Sequence, residues 1–584
     1  MKSFFKMVLA ALLALVLFSV MTFFLLVGWI AGLATRNLPR VKAGSVLVVD
    51  LGEHFAEQRQ PFSISLPSGQ AERNVPGLYE LIQLIHRAQD DKRIRGIYLQ
   101  AGSNANGFAA SQEIRRALQA FRSSGKFILA YGDQIPEKAY WVASVADQVY
   151  ANPQGGLSWA GFHVEYLFLK GALDKLQIEP QIFYAGKFKS ATEPLRTDRM
   201  TEENRLQTRE WLQDIYGQYL TTVAAARGTD SATLRRWADE GTIQTARDAL
   251  DHHLLDGLKY EDEVHDLIRQ RLGLGSKEKI SFVPVGQYAE VGVPRLHGGD
   301  LVALIFAEGD IVDGRGGPGR IASAQYTDLI RQARLDDRIK AIVLRINSGG
   351  GSSLASEKIW RELFLARQAK PVVVSFGDLA ASGAYYLSCG ADSLFAEPAT
   401  LTGSIGVFGV IPNLETFFRN KLGVTFDGVK TSPSADAGSF YRPLSLQEKK
   451  QFQADIDRIY RVFKERVAAG RHRDTAYVET VAQGRVWTGN RGAELGLVDR
   501  FGGIGEALDC AARMAHLKSY RVQEYPAVRT FLEQLLGTDG LVDEDAAIRR
   551  ELGEQNFAVY QAFLRVREMT GGVQARLPFQ FFIH

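Results

Sequence analysis

The chain has 584 residues, with 69 Lys and Arg against 66 Asp and Glu and a formal net charge of +3. This length exceeds one ordinary domain of roughly 100 to 200 residues, so we expect two or more domains. The balanced charge provides no basic stripe, and nucleic acid is therefore not an expected partner. The only cysteines, Cys389 and Cys510, can form neither a disulfide framework nor a zinc-type cluster.

The first predicted element is a transmembrane anchor, because Val8 to Ala34 carries no charge and exceeds the ~20 residues that a bilayer-spanning helix needs. A cleaved signal peptide would have a shorter apolar core of about 7 to 15 residues, so we expect a retained anchor. A buried soluble helix is the alternative. Basic residues stand on both sides of the run, so the charge rule leaves its orientation open.

The sequence after this segment contains two copies of one pattern. Asp91 to Leu99 (DKRIRGIYL) matches Asp336 to Leu344 (DDRIKAIVL), and Ala146 to Pro153 matches Ala391 to Pro398 at the same offset of 245 residues. Each copy has the length of a domain. The predicted segments are an anchor segment at 1–42, a first repeat at 43–295, a second repeat at 296–520 and a tail at 521–584.

Short apolar runs rich in β-branched residues alternate with helical stretches inside each copy. Ala341 to Ile346 and Pro371 to Ser375 are predicted strands, and Ser353 to Arg367 is a predicted helix. This alternation predicts an α/β fold with a parallel sheet covered by helices. The stretch 284–299 is the predicted linker. The tail ends in an apolar run, Leu577 to Ile583, which we expect to be a packed terminal strand or a partner contact.

A glycine-rich loop follows the first of these strands. Asn347 to Ser352 (NSGGGS) leads directly into a helix, where free backbone N–H groups can bind an anion or an oxyanion. Glycines such as Gly350 and Gly351 let the backbone approach a ligand closely. A tight turn with Ser352 as the helix cap is the alternative interpretation.

A second loop follows the next strand. Ala380 to Tyr386 (AASGAYY) is a small-residue entry into an apolar helix and places Ser382 at the helix N-terminus. The helix dipole there favours a developing alkoxide, and the N–H of Gly383 can face an oxyanion. Alternatively, Ser382 only caps the helix.

These two loops together resemble the signal peptide peptidase A (protease IV) family in its long, duplicated form. The resemblance covers nearly the whole chain and includes Leu401 to Gly406 (LTGSIG) and Lys187 to Ala191 (KFKSA). It implies two tandem α/β domains of the crotonase and Clp-protease kind after one transmembrane helix. Gly349 stands where the family usually has proline and Ala384 where it has glycine, and neither change removes a reacting group.

A serine nucleophile needs a base, yet no histidine occurs between His297 and His472. The resemblance assigns this role to Lys189, which can act only if burial lowers its pKa from about 10.4 toward 7 or 8. By the same resemblance, Ser404 holds the lysine in line. A solvated surface lysine and a turn serine are the alternatives, and Lys187 is the rival base.

The repeat register tests this assignment. At the offset of 245 the position of Ser382 is Glu137 in the first copy, and aligning the lysine loops puts Pro433 opposite Lys189. Each copy therefore holds one member of the proposed dyad. We expect the active site to form where the repeats meet.

From these observations and the family resemblance, we expect the protein to be a membrane-anchored serine endopeptidase. Ser382 would form an acyl-enzyme, Lys189 would be general base and then general acid, and N–H groups of Gly383 and of Gly350 or Gly351 would stabilise the oxyanion. Neither a metal ion nor an organic cofactor is needed for this chemistry.

The resemblance further implies hydrophobic peptide substrates such as released signal peptides, a homotetramer, and a catalytic body on the periplasmic side of a bacterial inner membrane. A catalytically inactive membrane scaffold that binds apolar peptides is the alternative. An acyl-CoA enzyme of the crotonase kind is a third possibility, against which the predicted anchor and the Ser-Lys pair argue.

Overall fold

The computed structural model describes residues 2–35, 41–59, 75–291, 299–317, 319–527, 572–577 and 582–583, together with 548, 553 and 560. The first helix, α1 (Lys2–Thr35), includes the predicted anchor. Within these described residues, no helix combines the length and the apolar character needed to cross a bilayer. The prediction of a transmembrane helix at Val8 to Ala34 is therefore not confirmed.

The first repeat alternates strands and helices along most of its length. Its strands are β1 (Ser45–Asp50), β2 (Ile94–Gln100), β3 (Phe127–Ile135), β4 (Gln148–Leu157), β5 (Val164–Glu165), β6 (Glu179–Ala185), β7 (Gly257–Leu258) and β8 (Phe282–Pro284). Its helices are α2 (Leu78–Asp90), α3 (Phe108–Arg122), α4 (Glu137–Ala143), α5 (Lys170–Leu176), a 3₁₀ turn (Ser190–Thr192), α6 (Glu193–Arg196), α7 (Glu202–Arg227), α8 (Ser231–Asp239), α9 (Ala246–Asp251), α10 (Glu261–Leu272) and α11 (Val285–Glu290).

The second repeat follows the same plan. Its strands, with those of the tail, are β9 (Leu301–Glu308), β10 (Asp310–Val312), β11 (Arg320–Ala322), β12 (Ile339–Ser348), β13 (Gly350–Ser352), β14 (Val372–Ala381), β15 (Ser393–Ala396), β16 (Leu401–Gly403), β17 (Val407–Asn413), β18 (Val486–Thr488), β19 (Arg500–Phe501), β20 (Arg521–Tyr525), β21 (Gln574–Arg576) and β22 (Phe582–Ile583). Its helices are α12 (Ser323–Leu335), α13 (Ser353–Ala369), α14 (Gly383–Ser388), α15 (Glu415–Phe417), a π-helical turn (Phe418–Leu422), α16 (Leu446–Gly470), α17 (Thr475–Val481), α18 (Gly489–Glu494) and α19 (Ile504–Met514).

Each repeat is built on one largely parallel sheet. The strand order is β7-β4-β3-β2-β1-β8 in the first repeat and β18-β16-β14-β12-β9-β20 in the second. The neighbours pair in parallel, except that β18 is antiparallel to β16. The central strands are apolar and buried, as expected of strands covered by helices on both faces. The α/β prediction is confirmed.

A third sheet joins the repeats. Its order is β11-β10-β13-β21-β17-β6, so it combines β6 of the first repeat with strands of the second repeat and β21 of the tail. β6 and β17 run antiparallel, with Ala185 opposite Val407. The residues that follow β6 therefore enter the second repeat.

Buried charges also link the repeats. The guanidinium of Arg345 on β12 is fully buried and lies 2.7 Å from the Glu57 carboxylate and 2.6 Å from that of Glu113, both from the first repeat. In the opposite direction, the Asp378 carboxylate accepts the N–H groups of Ala109 and Ala110 at the start of α3. These contacts fix the angle at which the repeats meet.

The connections differ in part from those predicted. The predicted linker at 284–299 starts at the last residue of β8 and contains helix α11, and its residues 292–298 lie outside the described residues. At the end of the tail, Phe582 and Ile583 form β22, which pairs antiparallel with β5, as expected of a terminal strand. The segment boundaries at 42, 295 and 520 stay predictions.

Candidate active site

Ser382 lies at the sharp connection between β14 and α14. Its backbone has φ 56° and ψ −113°, a left-handed conformation that is rare for residues other than glycine. Such strain costs on the order of 1–3 kcal/mol and persists only where the surroundings impose it. Here the Ser382 N–H donates to the Gly403 carbonyl at 2.8 Å, and the Ser382 carbonyl accepts the N–H of Tyr386. The side chain is fully buried.

Lys189 reaches this serine from the other repeat. It follows β6, which pairs with β17, and its side chain is 1% exposed. The ammonium nitrogen Nζ lies 2.7 Å from Ser382 Oγ, 3.0 Å from Ser404 Oγ and 3.1 Å from the Ser404 carbonyl oxygen. The structure thus brings together all three side chains that the sequence singled out from separate segments.

Burial lowers the pKa of the Lys189 amine well below its ordinary value, because a charged amine loses its hydration there. A neutral amine keeps two N–H groups, which match the two oxygens of Ser404, and has one lone pair. The Ser382 hydroxyl can donate its proton to this lone pair. The geometry therefore suits a lysine that acts as a base.

Close backbone contacts hold the lysine loop in place. The N–H of Phe188 donates to the Gln483 carbonyl, and the N–H of Ser404 donates to the Arg485 carbonyl. Gly484 has φ +76°, and a methyl group added to it would lie 2.7 Å from the Cα and Cβ of Lys189. A residue with a side chain would not fit at this position without moving the lysine.

Lys187, the rival base, does not contact Ser382. Lys187 is exposed, its N–H donates to the side chain of Gln483, and its ammonium nitrogen stacks over the ring of Phe188 at 5.2 Å. In this structure it makes none of the contacts that Lys189 makes with Ser382 and Ser404.

The glycine loop supplies backbone donors beside the serine. The N–H of Gly350 donates to Ser348 Oγ at 3.1 Å, so this N–H is already used. A methyl group on Gly383 would lie 3.2 Å from the nitrogen of Gly351, which brings the nitrogens of Gly351 and Gly383 near the same point. Of the two glycines that the sequence left open, Gly351 is the better second donor.

Gln207 is a buried residue that sequence reasoning missed. Its side-chain amide on α7 donates to the Phe188 carbonyl and to Ser190 Oγ, and its side-chain oxygen accepts the N–H of Val486. It thereby connects the lysine loop to β18. Gln207 lies four residues before Trp211, on the buried face of α7. A polar side chain on the buried face of a helix is the sequence signal that could have pointed to it.

The first repeat carries a carboxylate at the corresponding place. Glu137 begins α4 as Gly383 begins α14, and its side chain is 8% exposed. It accepts the N–H groups of Ala160 and Gly161, and burial raises its pKa to about 7. The first repeat therefore holds a buried carboxylate at the position that the repeat register matches to Ser382.

A strained, buried serine beside a buried lysine amine is typical of hydrolases that form a covalent intermediate on serine. The sequence model of peptidase family S49 matches residues 120–275 and 365–518, once in each repeat. The chain belongs to peptidase family S49, and it is a serine peptidase.

Full-length relatives agree with this membership. "Protease 4" of Salmonella typhi is 38% identical over 468 residues, which is 79% of this chain and 75% of the relative. "Serine protease SPPA, chloroplastic" of Arabidopsis thaliana is 32% identical over 556 residues, 92% of this chain and 78% of the relative. A solved ClpP1 mutant from Listeria monocytogenes aligns over 35% of this chain and 94% of its own chain, with 14% identity and a TM-score of 0.24.

Proposed function

We propose that this peptidase uses a Ser-Lys dyad in which Ser382 is the nucleophile and Lys189 is the general base. The 2.7 Å contact between Lys189 Nζ and Ser382 Oγ, with both side chains buried, is the observation that carries the proposal. Burial also lowers the pKa of the lysine, which favours the neutral amine that can accept a proton.

The reaction then proceeds in two halves. Ser382 Oγ attacks the carbonyl carbon of the substrate while its proton passes to Lys189, and the N–H groups of Gly351 and Gly383 stabilise the oxyanion. The protonated Lys189 gives its proton to the leaving amine as the C–N bond breaks. Water, deprotonated by Lys189, then hydrolyses the Ser382 ester. Ser404 keeps the amine pointed at Ser382 throughout.

The substrates that we propose are hydrophobic peptides, including signal peptides already released from preproteins. This part of the proposal rests on the family resemblance, as does assembly into a homotetramer. The anchor at Val8 to Ala34 stays a prediction from the sequence, and a bacterial inner membrane with the catalytic body on the periplasmic side stays a prediction from the family resemblance. Membrane fractionation with a carbonate wash and sedimentation analysis of the purified protein test these points.

The dyad is tested by the hydrolysis of a fluorogenic hydrophobic peptide. Ser382→Ala and Lys189→Ala should each lower kcat by about 10³-fold or more, and the double variant should be no worse than the weaker single variant, because members of one catalytic unit fail together. Lys187→Ala is the matched control and should keep nearly full activity. An inactive Lys187→Ala beside an active Lys189→Ala would refute the choice of base, and full activity of Ser382→Ala would refute the nucleophile.

A further inference from the structure

Helix α7 of the first repeat carries a row of polar side chains that bond to the second repeat. Members of the row are three or four residues apart, so they share one face of the helix. They are Gln207, Glu210, Asp214 and Gln218, and their partners in the second repeat are Val486, Arg485, Thr488 with Asn490, and Pro398. The helix is therefore bonded to the other repeat over about three turns.

Gln207 also contacts the lysine loop. Its side-chain nitrogen donates to the Phe188 carbonyl at 3.1 Å and to Ser190 Oγ at 3.0 Å, on the two sides of Lys189. Its side-chain oxygen accepts the N–H of Val486 on β18 at 3.1 Å. The side chain is buried. One amide thus joins the backbone on both sides of Lys189 to a strand of the second repeat.

β18 in turn supports the strand that holds Ser382. It pairs with β16, with Val486 opposite Gly403. The Gly403 carbonyl accepts the N–H of Ser382 at 2.8 Å, and the Arg485 carbonyl accepts the N–H of Ser404 at 2.7 Å. The path from α7 to the proposed nucleophile therefore runs through the backbone of two paired strands.

Further buried side chains fix the orientation of Gln207. Its amide nitrogen lies 3.1 Å from Asn204 Oδ1, and Asn204 Nδ2 donates to the Glu193 carboxylate at 2.9 Å. The same carboxylate accepts the hydroxyl of Thr201, the N-cap residue of α7, at 2.5 Å. Because acceptors surround the amide nitrogen, the nitrogen faces the lysine loop and the oxygen faces β18.

We propose that Gln207 is a positioning residue that sets the distance between the Lys189 amine and the Ser382 hydroxyl. The proposal rests on the proposed function of these two residues. Gln207 acts through the backbone beside Lys189, which it holds at a fixed distance from the strands that support Ser382. Because misplacing a catalytic group by about 1 Å can cost about 10²-fold in rate, loss of this connection should lower kcat.

The charged groups around this connection are paired with one another. The Arg485 guanidinium pairs with the Glu210 carboxylate, and the Glu193 carboxylate lies 3.6 Å from the guanidinium of Arg196. Burial is the cause of the lowered pKa of Lys189. A loosened loop that admits water to the amine should therefore raise this pKa toward its ordinary value.

The pH profile of peptide hydrolysis tests the positioning role, because the rate rises with pH as the Lys189 ammonium loses its proton. Gln207→Met keeps the length of the side chain and removes its hydrogen bonds. It should lower kcat by about 10²-fold and leave KM within about twofold. The acid limb of kcat/KM should move to higher pH by about one pH unit.

Gln207→Glu is an isosteric second variant. It keeps an oxygen toward the N–H of Val486 but replaces the donor to the Phe188 carbonyl with an acceptor. Its carboxylate should repel that carbonyl and favour the charged form of Lys189, so the acid limb should move further than in Gln207→Met.

Gln218→Met is the matched control, because Gln218 lies on the same face of α7 and donates to the Pro398 carbonyl. It should keep the wild-type acid limb and the wild-type kcat per folded molecule, and thermal unfolding measures any loss of stability separately. An acid limb that stays in place in both Gln207 variants would overturn the positioning role, even if kcat falls. An equal movement of the limb in Gln218→Met would overturn it as well.

The outcomes also separate this role from the proposed function. If Ser382→Ala and Lys189→Ala are inactive while Gln207→Met has the wild-type profile, the positioning role is wrong and the dyad stands. If Lys189→Ala hydrolyses peptide as fast as wild type, the proposed function fails and the positioning role fails with it.

Discussion

At the scale of single residues, the proposed chemistry depends on a lysine whose pKa is lowered by burial, with no carboxylate contributing to the shift. Burial alone lowers the pKa of Lys189, and its polar neighbours are the hydroxyl of Ser382 and the two oxygens of Ser404. A buried ammonium paired with a carboxylate would stay charged and could not act as a base. The proposed role of Lys189 as a base therefore depends on burial, which favours the neutral amine.

This burial has a consequence for stability against pH. The folded-state pKa of Lys189 lies below that of the unfolded chain, so between these two values the unfolded state binds one more proton. Raising the pH through that window should therefore stabilise the wild type relative to Lys189→Met by about 1.4 kcal/mol per pH unit. Denaturant unfolding of both proteins at pH 7, 8 and 9 measures this difference.

Lys187→Met provides the control for this experiment, because the Lys187 side chain is exposed. Its stability relative to wild type should not depend on pH in that way. A difference between wild type and Lys189→Met that stays constant from pH 7 to 9 would mean that Lys189 remains protonated in the folded protein.

At the scale of elements, the site depends on two loops that fit against each other without spare space. The loop after β6 carries Lys189, and the segment before β18 contributes Gly484, whose left-handed backbone lies against the lysine. Gly484→Ala should push the lysine loop by a fraction of an ångström or more. Because misplacing a catalytic group by about 1 Å can cost 10²-fold in rate, we expect kcat to fall by about that factor.

Gly228→Ala separates this displacement from backbone strain. Gly228 ends α7 with φ +66°, and a methyl group added to it would meet nothing within 4 Å. Both variants carry the cost of a left-handed alanine, of order 1 kcal/mol, but only Gly484→Ala touches the lysine loop. Equal activity of the two variants on peptide substrate would show that Gly484 does not position Lys189.

The sequence could predict the strands and helices whose apolar residues recur with a regular period. The runs inside β12 and β14 and the helix α13 follow from apolar periodicity, and the predicted strands and helix are confirmed. Contacts between distant segments do not follow from periodicity. The pairing of β6 with β17, the packing of Gly484 on Lys189 and the insertion of β21 beside β13 all depend on the tertiary fold.

At the scale of the whole molecule, the two repeats are not independent. Arg345 of the second repeat is enclosed by Glu57 and Glu113 of the first, and Asp378 caps α3 across the same interface. Removing one partner of a buried ion pair typically costs about 3–5 kcal/mol, so this network should stabilise the contact between the repeats. The proposed catalytic pair is divided between the repeats and therefore depends on that contact.

The division of the proposed dyad between the repeats could be predicted from the sequence because the repeat register holds without gaps over a long stretch. The register put Glu137 where the second repeat has Ser382, and the structure places Glu137 at the start of the matching helix. The register could not predict Gln207, because its contacts with the lysine loop and β18 depend on how α7 packs across the two repeats.

Covalent labelling measures directly whether Lys189 activates Ser382. A fluorophosphonate reacts with an activated serine, and peptide mass spectrometry identifies the modified residue. Wild type and Lys187→Met should carry the adduct on Ser382, and Lys189→Met should label about 10²- to 10⁴-fold more slowly, the range expected for the loss of a general base. Equal labelling of Lys189→Met would mean that Lys189 does not activate Ser382, and an adduct on another serine would mean that Ser382 is not the nucleophile.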